Sequence, residues 1–413
     1  MPMKLTRRML LGSAAASVAV LGAAPRVLAN RGSGRCKFLF VNAEGGWDPL
    51  CVFAPLFDAE AIDMEPLAEP WTIGGLSLVD HPGRPATRSF FERRHGELAV
   101  LNGVSTRSVN HETCQTVALT GSTSEERPDW ATILGYEQRD VASLPHLVVS
   151  GPSFAGPHSV FVSRAEGRLQ QTIDGTLLID NDDPLRIPDA PAARVVDRFL
   201  EQRGRARAQG IESSVRLDDY QEALARARDL SDSALELRLV AGADFGGRLQ
   251  TAISALAAGV SRCASVGTGF VWDTHNDNTE QIGLFESFFA DLDTALTTLA
   301  TTPGPDGVPL ADDTVVVVTS EMARTPAYNA TGGRDHWPYT SMMLIGPGIA
   351  TDRMLGGYTS LYTGVGVDAG GDADASQPGI GSEALGATLL ALGDVDPAEH
   401  LRSDASPIPG LLG

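Results

Sequence analysis

Short apolar runs bounded by turn residues recur along the chain, at residues 38–41, 98–101, 147–149, 264–267, 314–319 and 342–345. Unbroken runs of this length fit strands buried on both faces, as in a parallel sheet, better than strands with one wet face. Between them the hydrophobic period changes to that of a helix. From 281 to about 299, Ile282, Phe285, Phe288, Leu292, Leu296 and Leu299 fall on one stripe. Asp277, followed three residues later by Glu280, reads as a capping box at the start of this helix. Residues 214–240, dominated by Leu, Ala, Arg and Glu, predict a second helix, and 382–392 a third. Strands alternating with helices predict an α/β protein with a doubly wound, mostly parallel sheet flanked by helices. The stretches 60–90, 151–190 and 350–380 are rich in Gly, Pro and Asp and read as loop insertions.

The first residues do not fit this pattern. Arg7-Arg8-Met9-Leu10 precedes an apolar, small-residue run over 13–23, and Val27 and Ala29 stand at the −3 and −1 positions of a cleavage site. This is a signal peptide over 1–29 with a twin-arginine motif, which implies the twin-arginine translocation machinery as a partner and a periplasmic or secreted destination. The apolar run is too short for a stable transmembrane anchor. No compositional break divides the remainder, so 30–413 reads as one domain.

Charge narrows the partners. The 413 residues carry 52 acidic against 32 basic side chains, a formal net charge of −20. Such a surface repels phosphate backbones and argues against nucleic acid. It also slows encounter with small anions unless a metal ion or a basic patch reverses the local field. Cys36, Cys51, Cys114 and Cys263 are scattered, with no C-x-x-C pair. They exclude a zinc ribbon or thioredoxin motif and read as buried thiols, Cys36 and Cys51 being the nearest pair for a disulfide.

In open α/β sheets, ligands bind beyond the carboxyl ends of the strands, so the polar residues that follow predicted strands carry the chemistry. The first strand runs into Gly45-Gly46-Trp47-Asp48, and Asp48 is a candidate metal ligand or a turn residue. The run 264–267 is followed by Trp272-Asp273-Thr274-His275. A carboxylate and an imidazole two residues apart in extended chain point the same way, a geometry for two ligands of one ion. The run 314–319 ends at Glu321, and Gly333-Arg334-Asp335-His336 precedes the run 342–345. The segment 106–114 follows a strand and leads into a helix ending near Thr120-Gly121. There Ser108 is the candidate attacking hydroxyl and His111 a ligand or acid/base, with Thr106, Thr113, Cys114 or a water molecule as rivals. Ser108 or Asn110 acting only as a helix cap is the structural alternative.

Taken in order, these motifs resemble the bacterial family catalogued as domain of unknown function 1501, of the alkaline-phosphatase/sulfatase superfamily. The residues that carry the resemblance are Gly45-Gly46-Trp47-Asp48, Asn110-His111, Trp272-Asp273-Thr274-His275, Ser320-Glu321-Met322-Ala323-Arg324 and Gly333-Arg334-Asp335-His336-Trp337. The resemblance implies an alkaline-phosphatase-like fold. It also implies an exported, metal-dependent hydrolase acting on a small phosphate or sulfate ester. Asp48, Asp273, His275, Glu321, Asp335 and His336 would hold zinc, manganese, magnesium or calcium. The alternative is a non-catalytic exported binding or assembly protein that retains the fold. Met322 and the lack of a clear nucleophile favour that alternative, while a second departure, in the signature around Cys114, argues only against a formylglycine-type sulfatase. Related enzymes place an Asp-His pair where this chain has Glu321-Met322, and a thioether does not replace imidazole on a hard divalent ion. The sulfatase signature Cys-x-Pro-x-Arg is absent around Cys114.

The leader makes a direct prediction. Replacing Arg7 and Arg8 by Lys blocks export, and the exported protein begins at Asn30. N-terminal sequencing of a periplasmic fraction checks it, and recovery of the intact leader there refutes it.

Overall fold

The computed structural model of the chain describes residues 36–165, 244–401 and 404–413, with short pieces between 176 and 230. An 11-stranded mixed sheet forms its centre. Its strands are β1 (Lys37–Ala43), β2 (Leu98–Ser105), β3 (Leu144–Val148), β4 (Val162–Arg164), β5 (Ser261–Gly267), β6 (Thr314–Ser320), β7 (Tyr339–Ile345), β8 (Arg353–Tyr358), β9 (Gly364–Val367), β10 (Ala373–Pro378) and β11 (Ile380–Gly381). Their order is β10-β9-β8-β2-β7-β6-β1-β5-β3-β4, with β11 beside β2. One half of the sheet, from the edge strand β4 through β1 to β6, is parallel. β7 runs antiparallel between β6 and β2.

Burial on both faces follows from the sequence of β1. All seven of its residues are buried. Leu39 and Val41 join an apolar cluster with α1 (Pro85–Arg94), α4 (Phe245–Ala257) and α5 (Glu280–Thr301). Phe38 and Phe40 point the opposite way, onto α3 (Trp130–Glu137) and α6 (Ser382–Leu392). A strand alternates its side chains, so an all-apolar strand needs helices above and below. A helix α2 (His111–Thr120) lies between β2 and α3 in the chain and ends on Gly121, in the left-handed conformation that a helix terminus favours.

Every apolar run read from the sequence lies within one of these strands or overlaps it, and each strand extends a few residues beyond its run. Other expectations need correction. The start of α5 has no capping box: Thr279 precedes it without a side-chain cap. The Asp277 carboxylate instead accepts the Thr279 N–H and hydroxyl, closing a turn one step earlier. The supposed loop 60–90 contains α1 and a hairpin of Glu69–Ile73 with Leu76–Asp80. The stretch 350–380 supplies β8, β9 and β10, and 151–190 supplies β4. These are short or edge strands. β10 is mostly exposed, so it carries no apolar run to betray it. The leader 1–29 and most of the helix expected over 214–240 lie outside the described residues. No disulfide joins the four cysteines, of which Cys51, Cys114 and Cys263 are buried. Among the described residues no helix is long and apolar enough to cross a membrane.

One polar network sits inside the sheet. His146 of β3 is buried, with Nδ1 against the Thr132 hydroxyl at 3.0 Å and Nε2 against the Ser265 hydroxyl at 2.8 Å. Burial pushes its pKa down, and the Asp129 carboxylate only partly offsets this. The imidazole is therefore neutral when folded, and it protonates more readily in the unfolded chain. Stability is intact above the ordinary imidazole pKa of about 6.5 and is lost as pH falls below it. Thermal melts of wild type and His146→Gln check this. The variant is less stable at pH 7 by about 1–3 kcal/mol, and its deficit shrinks as the pH is lowered to 5. A deficit independent of pH would contradict the assignment.

Candidate metal centre

The carboxyl ends of β5, β1, β6 and β2 share one edge of the sheet, and the antiparallel β7 begins at that edge. Five segments meet there. The chain leaving β1 turns through Gly45 and Gly46, both in the left-handed region with φ of 108° and 84°. A Cβ on Gly45 would lie 2.7 Å from the Asp273 nitrogen. Glycine thus lets this turn lie directly on the backbone that carries Asp273.

Arg324 locks the contact. Its side chain is fully buried. Its guanidinium donates to the carbonyls of Gly45, Gly46 and Arg334 and to the Asp273 carboxylate, the last at 2.7 Å. Arg324 and His336 are cross-strand partners in a two-residue antiparallel ladder, which sends both side chains to the same face. Gly333 allows the preceding loop to cross the Asp273–His275 segment, because a Cβ there would meet the His275 carbonyl oxygen at 2.0 Å.

Three imidazoles converge on one oxygen. The Nε2 atoms of His111, His275 and His336 lie 3.4, 3.1 and 3.2 Å from Asp273 Oδ1. Each opposite nitrogen faces an acceptor. His111 Nδ1 is 2.9 Å from Glu321 Oε1, His275 Nδ1 is 3.1 Å from Asp335 Oδ1, and His336 Nδ1 is 2.7 Å from the Val109 carbonyl. Acceptors at Nδ1 select the tautomer with the proton on Nδ1 and leave the Nε2 lone pairs directed at the common point. The His275 and His336 Nε2 atoms are 2.8 Å apart. Two lone pairs at that distance repel unless a proton or a cation stands between them. His111 Nε2 is buried without a hydrogen-bond partner. Ligand atoms of His111, Asp273 and His336 all lie within 4.8 Å of one another, a group able to hold a metal ion.

The electrostatics agree. Burial opposes ionisation of Asp273, but Arg324, His336 and His275 outweigh it and hold the carboxyl below its usual range. The Glu321 hydrogen bond raises the His111 pKa against the effect of burial. Burial lowers that of His336, and neighbouring His111 adds to the shift. The His275 bond holds Asp335 low.

The residues singled out from sequence divide into groups. Asp273, His111, His275 and His336 form the cluster. Glu321 and Asp335 stand behind imidazoles rather than in the cluster itself, and Glu321 also accepts the Gly45 N–H at 2.7 Å. Asp48 is elsewhere: its carboxylate caps a short helical turn at Leu50, accepts from Asn278 and pairs with Arg334 at 3.3 Å. These partners, rather than the imidazoles, take up the Asp48 carboxylate. Ser108 Oγ accepts the Asn110 N–H at 3.1 Å, and Asn110 caps α2 through Thr113. Thr106 and Cys114 are buried. Asp273 and His275 meet through a tight turn, the His275 N–H reaching the Asp273 carbonyl at 3.0 Å, not through extended chain. The turn glycines Gly267 and Gly269 end the strand before Asp273 is reached. Arg324 and the Val109 carbonyl were not assigned a role from sequence. Arg324 stood in a quoted motif, but nothing in one dimension shows that it is buried; a backbone carbonyl leaves no sequence signal.

The family described as Protein of unknown function (DUF1501) matches residues 84–370. The chain belongs to that family. The matched region contains every member of the imidazole cluster and both supporting carboxylates, and it leaves Asp48 outside. No curated protein matches the chain.

Glu321→Gln tests the supporting role. Glutamine keeps the size and an acceptor but removes the charge behind His111. Divalent-metal affinity falls about 10–100-fold by titration calorimetry, with the fold intact by circular dichroism. Unchanged affinity would remove Glu321 from the centre.

Proposed function

We propose that this DUF1501 protein is an exported, metal-dependent hydrolase of phosphate or sulfate esters on an alkaline-phosphatase-like scaffold. The observation that carries the reading is the convergence of three Nε2 atoms on Asp273 Oδ1. The donor set fits a divalent ion: the carboxylate is held ionised, and the buried His111 Nε2 has no other partner. Asp273, His111 and His336 would hold the ion, with His275 beside them. Imidazole-rich sites suit zinc or manganese better than magnesium or calcium, which favour oxygen donors. When bound, the ion supplies Lewis-acid polarisation of the ester oxygen.

The chain's own residues do the rest. Glu321, Asp335 and the Val109 carbonyl fix the three rings, and Arg324 keeps Asp273 charged and in place. With a net charge of −20, the chain would admit an anionic ester only where the residues that hold the ion gather positive charge. Ser108, three residues before His111, is the candidate attacking hydroxyl.

Two observations favour a second reading, a binding protein without turnover. Met322 is fully buried where related enzymes place a histidine, and Ser108 is engaged with its own turn.

The readings separate on metal analysis of the mature protein and assays on aryl phosphates and sulfates. The hydrolase binds about one zinc or manganese ion and turns over at least one ester class, and Asp273→Ala abolishes both. Ser108→Ala abolishes turnover but not metal binding. Metal binding with no turnover on any ester favours the binding protein, and a protein that binds no divalent ion refutes both forms of the centre.

A further inference from the structure

Apolar side chains stand exposed in the segments that build the cluster. Among the described residues nine large hydrophobic side chains are exposed, and three of them are Val109, Phe270 and Val271, at 50, 55 and 47 % exposure. All three belong to segments that build the centre. The Phe270 ring meets the His111 imidazole edge-on, with centroids 5.3 Å apart at 77°. Val109 presents its carbonyl to His336 while its side chain remains in solvent. The His111 and His336 rings are themselves 4.4 Å apart, so the valine and the phenylalanine flank a continuous pair of imidazoles. A tight turn at Gly269, with φ of 81° and the Val271 N–H on the Gly269 carbonyl at 2.7 Å, carries Phe270 and Val271 outward. Behind His275 the surface is polar: Asp335 lies there with 63 % of its side chain exposed.

Exposed apolar side chains scattered singly need no explanation, but three beside one ligand cluster do. About half of each of these side chains remains open to water, so apolar surface beside the cluster is left uncovered. They lie where the organic part of a ligand would rest if its anionic head engaged the cluster. The Asp335 carboxylate behind His275 would repel a polyanion and offers no apolar surface.

We propose that Phe270, with Val109 and Val271, is an apolar specificity subsite, and that the substrates are monoesters of aromatic or bulky alkyl alcohols rather than small, highly polar esters. The inference rests on the metal-centre reading above and names the substrate class for it.

Phosphonates test the subsite without requiring turnover. Phenylphosphonate and methylphosphonate share a head group and differ in the organic group, and neither is hydrolysed. On the zinc- or manganese-loaded mature protein, phenylphosphonate binds roughly 10–100-fold more tightly, the factor expected for covering a ring and its apolar platform. Phe270→Ala removes most of that preference and leaves methylphosphonate affinity unchanged. Phe270→Leu, which keeps an apolar side chain of similar reach, retains part of it and guards against a variant that merely perturbs His111. Equal affinity of the two phosphonates for wild type, binding of neither, or a full preference persisting in Phe270→Ala overturns the subsite. Failure of the hydrolase reading looks different: the phosphonate preference is present and falls in Phe270→Ala, while phenyl phosphate and phenyl sulfate are not turned over by wild type.

Discussion

A buried guanidinium must satisfy its donors inside the protein, and Arg324 does so at the junction of three chain segments. Its donors reach the turn after β1, the loop after β5 and the hairpin that precedes β7. The same group faces the Asp273 carboxylate, so one side chain both closes the sheet edge and sets the charge at its centre. Arg334 repeats the arrangement nearby. It pairs with Asp48 and donates to the Thr325 and Pro326 carbonyls, tying the first turn to the loop before β7. Neither arginine is available to an external ligand. Their role is to hold irregular backbone in fixed positions where no strand ladder reaches.

That rigidity matters because the cluster depends on orientation. Three imidazoles are useful to a cation only if their lone pairs point at one place. Ring orientation here is set from behind, by two carboxylates and one carbonyl. The two carboxylates reach the site on different elements, Glu321 from the end of β6 and Asp335 from the loop before β7. The shifts of His111 and His336 are opposite because the Glu321 bond raises the first while burial lowers the second, with neighbouring His111 adding to the latter.

The acidic character of the chain gives the cluster a further meaning. A surface with 52 carboxylates against 32 basic groups offers anions few places to dock. Imidazoles gathered around one ionised carboxylate form a place where positive charge can be concentrated locally, and the apolar side chains beside it supply contact that does not depend on charge at all.

Much of the fold was legible in one dimension because double-sided burial writes itself as continuous apolar runs. The core strands, the α5 stripe and the α6 segment follow from that rule alone. Edge strands and the hairpins inside Gly- and Pro-rich stretches were not, since a strand with solvent on one side and a neighbour on the other needs no apolar run. For the centre, the sequence by itself determined which residue types sit at strand ends: Asp273, His275, Glu321, Asp335, His336 and the 106–114 segment. Only the tertiary structure decided their parts. It sent Asp48 to a buried arginine, set Glu321 and Asp335 behind histidines, and brought His111 from a helix start into contact with Asp273. The physical reason is that a carboxylate's role is set by the whole set of partners packed around it. Those partners lie some 50 to 290 residues away in the chain, at distances that only the packed sheet edge establishes.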